Sequence, residues 1–411
     1  MKLIRDPVHG YIEVPDKFLQ VISAPVFQRL RYVKQTGLAY MVYPGMNHTR
    51  FEHSLGVMYL AREFAKFIAD NSKLDFVDED YVELVALAGL LHDVGHMPFS
   101  HTFENALILA KHVYGMDVEE YGKKTHVRVG EMVVRNFLSH VIDKEFSKNM
   151  SDPVDFVVRV LEEKPRTEEE KFANLVVSNF VDADRGDYLL RDSYYAGVTY
   201  GYFDVERLKR FLVYVDGKVA VISKAVPIVE QFLLARMYMF ENVYFHSVVG
   251  LYNAIVSHAI VNLMEKGLRV PEDEKEFSVF TDDIVLSRLS DVDERLRNAV
   301  LFRKGFKRVK KDVTGKCLDL FSSRREEIYE KMREYKGLLI YHEFNDVPYY
   351  EEKDEALYVY DGGEVKKLTA ISLIAKSLKE IRKAVIGYHE TVEDKARELV
   401  QLLEECKTLG P

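Results

Sequence analysis

Apolar residues recur at intervals of three and four over most of the first 270 positions, which predicts a chain built chiefly of amphipathic helices. After Thr49, the residues Leu55, Met58, Ala61 or Arg62, Ala65 and Ile68 form one stripe, and Thr49 with Glu52 has the spacing of a capping box. His53 falls in the first turn of that helix. A second helix is expected from near Asp80, with Glu83 three residues on, through VELVALAGLL to His92, where Gly95 and Pro98 stop it. Being apolar nearly all round, it should be buried, with its far end opening into a site. Further helices are predicted over about 125–143, 168–195, 225–266 and 367–405.

Between Phe211 and Ser223 two apolar runs flank an Asp216-Gly217 turn and predict a β-hairpin. A second β region is expected from Leu338 to Tyr360, closed by Asp361-Gly362-Gly363. The stretch 271–335 is highly charged, and its densest basic run, KGFKRVKKD at 304–312, reads as solvated surface. The fold class is therefore mainly α with small β-hairpins. A soft boundary near residue 270 separates a catalytic domain, 1–270, from a C-terminal α+β lobe, 271–411, which would serve assembly or regulation.

Composition narrows the function classes. The 411 residues, 47% hydrophobic and 30% charged, suit a folded globular protein of two domains or one with an appended lobe. A net charge of -9 opposes nucleic acid and anionic lipid, so any grip on phosphate must be local. Cys317 and Cys406 have no CxxC spacing, which argues against a disulfide framework or zinc knuckle. The N-terminus lacks a signal pattern and the longest apolar run, Leu84 to Leu91, is too short for a bilayer. A cytoplasmic protein with no membrane or nucleic-acid partner is expected.

Of the 13 histidines, seven lie between positions 48 and 126, and LLHDVGHMPFSH holds His92, Asp93, His96 and His101. Imidazole nitrogens and carboxylate oxygens suit a divalent cation, and two His with two Asp leave positions open for water and substrate. His92 and Asp93 end a buried helix, where consecutive residues can turn toward one point. In VDADRGDYLLRDSYYAG, 181–197, Asp184, Tyr188 and Arg191 or Asp192 share a helix face. That stripe is not a core-packing pattern, although spacing alone also allows a solvated face. His9, His112, His140, His258, His342 and His389 read as ordinary structural histidines. The chain contains no GxSxG elbow, HExxH helix, Walker A loop or GxGxxG fingerprint.

The ordered set His53, His92-Asp93 and Asp184 resembles the H…HD…D signature of the HD superfamily of metal-dependent phosphohydrolases. DPVHGYIE at 6–13, FQRLRYVKQTG at 27–37, HTRFEHSLGV at 48–57, AGLLHDVGHMPFSHTFE at 88–104 and DADRGDYLLRD at 182–192 are similar to the deoxynucleoside triphosphate triphosphohydrolases. The similarity is greatest to the branch with the mammalian enzyme that joins a SAM domain to an HD domain, and no SAM domain is expected here. It is dense to about residue 270 and thins afterwards, FTDDIVLSRL at 280–289 still fitting.

The resemblance implies an HD-domain helical core, a dNTP substrate cleaved to deoxynucleoside and inorganic triphosphate, and homo-oligomeric assembly. It makes His53, His92, Asp93 and Asp184 ligands of a divalent transition metal (Fe, Mn, Co, Ni or Zn), with or without Mg. His101 with Glu104, an Asp in most relatives, becomes the acid/base pair, and His96 and His126 lie near the phosphates. Arg50, Arg185, Tyr188 and Arg236 would approach the triphosphate, Asp192 and Gln35 the sugar, and Tyr244 the place of a ribose 2′-hydroxyl. Phe240 replaces a family histidine. Lys2, Gln28 and Arg31 match part of a site for an activating nucleotide, but Ser23 replaces the carboxylate that reads guanine. Two other readings remain: an HD nucleotidase or phosphodiesterase of other specificity, and a catalytically silent nucleotide-sensing assembly protein.

Overall fold

The computed structural model describes residues 1–118, 125–148, 150–310, 312–346, 356–397, 399 and 401. Two long helices form its centre. The first, Arg50–Ser72, ends on Lys73 in the left-handed conformation at φ 52°; the second, Glu79–Leu91, is buried from Tyr81 to Leu91. They approach closely because Gly89 faces Ala61 and the Val57 carbonyl, where a side chain would not fit. The stripe expected on the first helix widens to nearly its whole circumference, since helices pack on several sides of it.

Both helix starts differ in detail from the expected capping. Thr49 makes no side-chain cap bond, and Glu52 instead accepts a hydrogen bond from the Tyr195 hydroxyl at 3.0 Å. The second helix is capped by Asp78, whose carboxylate accepts the Tyr81 N–H, and Glu83 pairs with Arg62 at 3.1 Å. A long-range partner outcompeted the local one in each case.

The predicted helix over 168–195 is two, Glu168–Val177 and Ala183–Ala196, because Asp182 caps the second by accepting the Arg185 N–H. Likewise 225–266 divides into Val226–Met239, a π-helical turn at Phe240–Tyr244, and Ser247–Glu265. The widened turn re-aims Tyr244, a common use of π geometry. Ser247–Glu265 is long and apolar enough to cross a membrane, but 83% of its apolar window is buried inside the fold, so it is spent on the core. The region 125–143 is helical throughout, with a π segment at Val134–Leu138.

Strands β1 (Lys2–Asp6) and β2 (Gly10–Val14) form an N-terminal hairpin. The expected hairpin is β3 (Leu212–Val215) with β4 (Lys218–Ile222), turning at Asp216-Gly217. Phe306–Arg308 is β5, Val313–Thr314 β6, Leu339–Asp346 β7, Tyr358–Asp361 β8, Glu364–Lys367 β9 and Ile381–His389 β10. One sheet runs β3-β4-β8-β9, so strands from both sides of residue 270 share it. In the other, β10 pairs with β5, β6 and β7.

The helix predicted over 367–405 is interrupted by β10: Leu373–Ser377 is α-helical before that strand and 393–397, 399 and 401 are α-helical after it, while 398, 400 and 402–405 lie outside the described residues. Antiparallel pairing of Ile381–Tyr388 with Leu339–Asp346 supplied more than the local period of three and four could. Residues 347–355 of the second β region and Lys311 of the basic run also lie outside the described residues.

Candidate active site

Local helix geometry carries four donors to one point. His53 comes from the first turn of its helix, His92 from a C-cap with Asp93 beyond it, and Asp184 from the first turn of Ala183–Ala196. His53 Nε2 lies 3.1 Å from Asp184 Oδ1, 3.2 Å from His92 Nε2 and 3.5 Å from Asp93 Oδ2. His92 Nε2 is 3.4 Å from Asp93 Oδ1 and 3.5 Å from Asp184 Oδ1. Such separations suit donors roughly 2.0–2.2 Å from a shared centre. His53 Nδ1 bonds Asp187 and His92 Nδ1 bonds the Gly89 carbonyl, each at 2.8 Å, leaving both Nε2 lone pairs for a cation.

Electrostatics agree with that fit. Burial disfavours ionised Asp184, but hydrogen bonds from His53 and His92 hold its carboxyl well below the usual range. Burial likewise opposes ionisation of Asp93, which Arg50 and then His92 overcome. Burial disfavours charge on both imidazoles, yet Asp184 and Asp187 raise the pKa of His53, and Asp93 and Asp184 raise that of His92. These shifts favour positive charge at the shared point, which a divalent cation would supply.

Beside this point one carboxylate organises two imidazoles. Glu104 Oε2 is 2.7 Å from His101 Nδ1, while Oε1 meets His126 Nδ1 at 2.8 Å and accepts its backbone N–H at 2.9 Å. The extra methylene of Glu reaches both rings. His96 stacks on His126 with centroids 4.2 Å apart and approaches Asp93 at 3.2 Å. Burial, then Arg50 and His126, keep His96 well below the ordinary imidazole pKa.

Burial opposes ionisation of Glu104, but His101 and His126 together hold its carboxyl well below the usual carboxylate range. Its stabilising effect is therefore present above the unfolded value and lost as pH falls below it. In thermal melts, the gap between the wild type and Glu104→Gln should hold down to about pH 5 and narrow progressively as pH falls below about 4.5 towards the lower folded-state value. A gap that widened in acid would contradict this assignment.

A cavity of about 500 Å³ opens over these groups, lined by Gln35, Arg50, Tyr188, Asp192, Phe240 and Tyr244 among others. Asp184, Tyr188 and Asp192 border it at successive four-residue steps of one helix. Asp192 is held at both oxygens, by His48 Nε2 at 2.6 Å and the Tyr244 hydroxyl at 2.7 Å. Arg50 donates to Asp93 and, at 2.8 Å, to Ser100 Oγ. Two other arginines are committed to acids: Arg185 to Asp182 and the Asn179 carbonyl, and Arg236 to Asp346 at 2.7 Å, with Tyr188 at 2.9 Å.

With this geometry in place, comparison with known proteins is informative. A model described as "HD domain" matches residues 50–184, and one described as "HD associated region" matches 203–402. The uncharacterised protein MJ1154 of Methanocaldococcus jannaschii is 32% identical over 395 residues, covering 92% of this chain and 76% of that protein. The chain belongs to the HD-domain family. Human deoxynucleoside triphosphate triphosphohydrolase SAMHD1 is 30% identical over 332 residues, 73% of this chain and 52% of that protein. The chain thus spans about half the length of that curated relative. A 2.0 Å crystal structure of a hypothetical protein from Aquifex aeolicus superposes with a TM-score of 0.77 at 32% identity, covering 97% of this chain and 99% of that one. HD-family membership and the HD-domain helical core with its α+β lobe, both expected from the motifs, are present.

Behind the site lie groups that the sequence left unassigned, together with Arg191, which its spacing had offered for the cavity face. Asp187 and Arg191 form a buried pair four residues apart, and Asp6 and His9 reach them from the β1–β2 turn. Their signal was available in DPVHG and in the spacing of RGDYLLR. His48, which holds Asp192, stands two residues before Arg50 and was likewise unassigned. Of the candidate nucleotide residues, Arg31 bonds Gln28 at 2.8 Å and covers the Phe51 ring, Gln28 donates to the Ile22 carbonyl, and Lys2 is exposed at the start of β1.

Proposed function

We propose that this protein hydrolyses deoxynucleoside triphosphates to deoxynucleoside and inorganic triphosphate by water attack on the α-phosphorus. One observation carries the reading: a metal-ligand carboxylate, a phenol and a doubly held carboxylate, Asp184, Tyr188 and Asp192, line a single cavity from one helix. A divalent cation held by His53, His92, Asp93 and Asp184 would acidify water and polarise a phosphoryl oxygen.

The chain's own groups do the rest. Glu104 orients His101, whose Nε2 then delivers a proton to the departing 5′ oxygen. Arg50 neutralises phosphate charge at the metal. Arg185 and Arg236 exchange Asp182 and Asp346 for the longer phosphate chain, a planar fork meeting several oxygens. Asp192 accepts the sugar 3′-hydroxyl, with Gln35 beside it, and Tyr244 fills the place of a 2′-hydroxyl. Self-association and an activating nucleotide at Lys2, Gln28 and Arg31 complete the proposal. With Ser23 in place of a carboxylate, that activator is not selected for guanine in the way the family's carboxylate would select it.

The test is to incubate the purified protein with each dNTP and Mn, Mg, Fe or Co, and to identify the phosphorus product. Inorganic triphosphate is the expected product. Release of only orthophosphate or pyrophosphate from every substrate would overturn the reading. Adding single NTPs and dNTPs tests the activator, and strict GTP dependence would count against the predicted loss of guanine selection.

A further inference from the structure

The N-terminal hairpin packs Ile12 and Val14 into the core, and its turn reaches the back of the four-donor site. Asp6 Oδ1 accepts the backbone N–H groups of Val8 and His9, each at 2.8 Å, which closes the turn and sets His9 over the first long helix. His9 Nε2 then lies 2.6 Å from Asp187 Oδ1, with both side chains buried. Arg191 grips Asp187 through Nε and Nη2 at 2.8 and 2.9 Å and donates through Nη1 to Asp6 Oδ2 at 2.9 Å. The remaining bond of Asp187, through Oδ2 at 2.8 Å, goes to His53 Nδ1.

This is more than a buried ion pair. A carboxylate with one open direction would swing between donors, but here His9, Arg191 and His53 occupy both oxygens of Asp187. A fixed carboxylate at Nδ1 favours the His53 tautomer with its proton there, which leaves the Nε2 lone pair for the point shared with Asp93, His92 and Asp184. Backbone space is reserved for the arrangement at Gly56, where a Cβ would stand 1.8 Å from Asp187 Oδ1.

We propose that His9 and Asp187 are positioning residues for the metal ligand His53, so that the N-terminal turn is part of the metal centre. The inference rests on reading His53, His92, Asp93 and Asp184 as a metal site, and is independent of which phosphate ester is cleaved. Outer partners of this kind typically change metal affinity by roughly 10–100-fold.

The measurement is Mn(II) affinity by chelator competition on the full chain without nucleotide, together with the visible spectrum of the Co(II)-loaded protein. His9→Ala should bind Mn(II) at least about tenfold more weakly and alter the Co(II) bands. His9→Gln, whose amide can donate to Asp187, should recover to within about threefold of wild type. Tyr11→Ala, on the exposed face of the same hairpin, should change neither. If His9→Ala does not fold, His9→Leu, which fills the space without a donor, takes its place against His9→Gln. Wild-type affinity and spectrum in a folded variant lacking the donor would overturn the proposal, as would equal weakening by His9→Gln. A wild-type chain that binds no divalent metal would overturn it along with the metal reading. One that binds metal but leaves dNTPs intact would overturn only the substrate reading.

Discussion

Replacing Asp184 by alanine is expected to lower hydrolysis by at least about 10³-fold and to weaken divalent-metal binding while the fold survives. The residue sits in the first turn of its helix, and Asp182, not Asp184, caps that helix, so truncation removes a ligand without removing the cap. His53 and His92 lose the carboxylate at 3.1 and 3.5 Å that concentrates negative charge at the site. Metal content of the purified variant, its far-UV circular dichroism and its turnover are the three measurements. Full activity in a metal-depleted Asp184→Ala protein would remove the metal from the mechanism.

His101→Ala should act differently, costing roughly 10²–10⁴ in kcat while metal affinity stays within about twofold of wild type. Its ring touches Glu104 at Nδ1 and groups with His96 and His126, apart from His53, His92 and Asp93. If it protonates a leaving alkoxide, the defect must depend on the leaving group. With a nitrophenyl phosphodiester, whose leaving phenolate needs no proton, the loss should shrink to less than about tenfold. An equal loss with both substrates would place His101 in phosphate binding instead.

A third substitution tests the framework behind the metal. Gly56→Ala drives a methyl group into Asp187 and to within 2.6 Å of Arg191 Nη2. Prising apart that buried pair should cost about 3–5 kcal/mol, visible as a large drop in melting temperature.

Much of this site was legible as pattern because its parts lie on helices. Asp184, Tyr188 and either Arg191 or Asp192 fall on one face by their spacing, the fold bringing Asp192 to the cavity, and His92-Asp93 stands where an all-apolar helix stops. The Asp216-Gly217 turn was equally local, since two residues of positive φ suffice to fold β3 onto β4. Where the reading failed, a distant partner intervened. The period of residues 367–405 favoured helix, but β7 offered a whole strand of backbone partners to Ile381–Tyr388. Thr49 and Glu52 had capping-box spacing, but Glu52 was taken by Tyr195, 143 residues away.

The sequence by itself determined the helical faces, the chemistry of the His and Asp donors and the family to which the chain belongs. Tertiary structure alone decided which carboxylate stands behind His53, that Glu104 serves two imidazoles, and that Arg185 and Arg236 are held by Asp182 and Asp346. The physical reason is the range of the interactions. Helix periodicity and turn chemistry are written within a few residues, whereas a hydrogen bond from His9 to Asp187 spans 178 positions and has no spacing by which to be recognised.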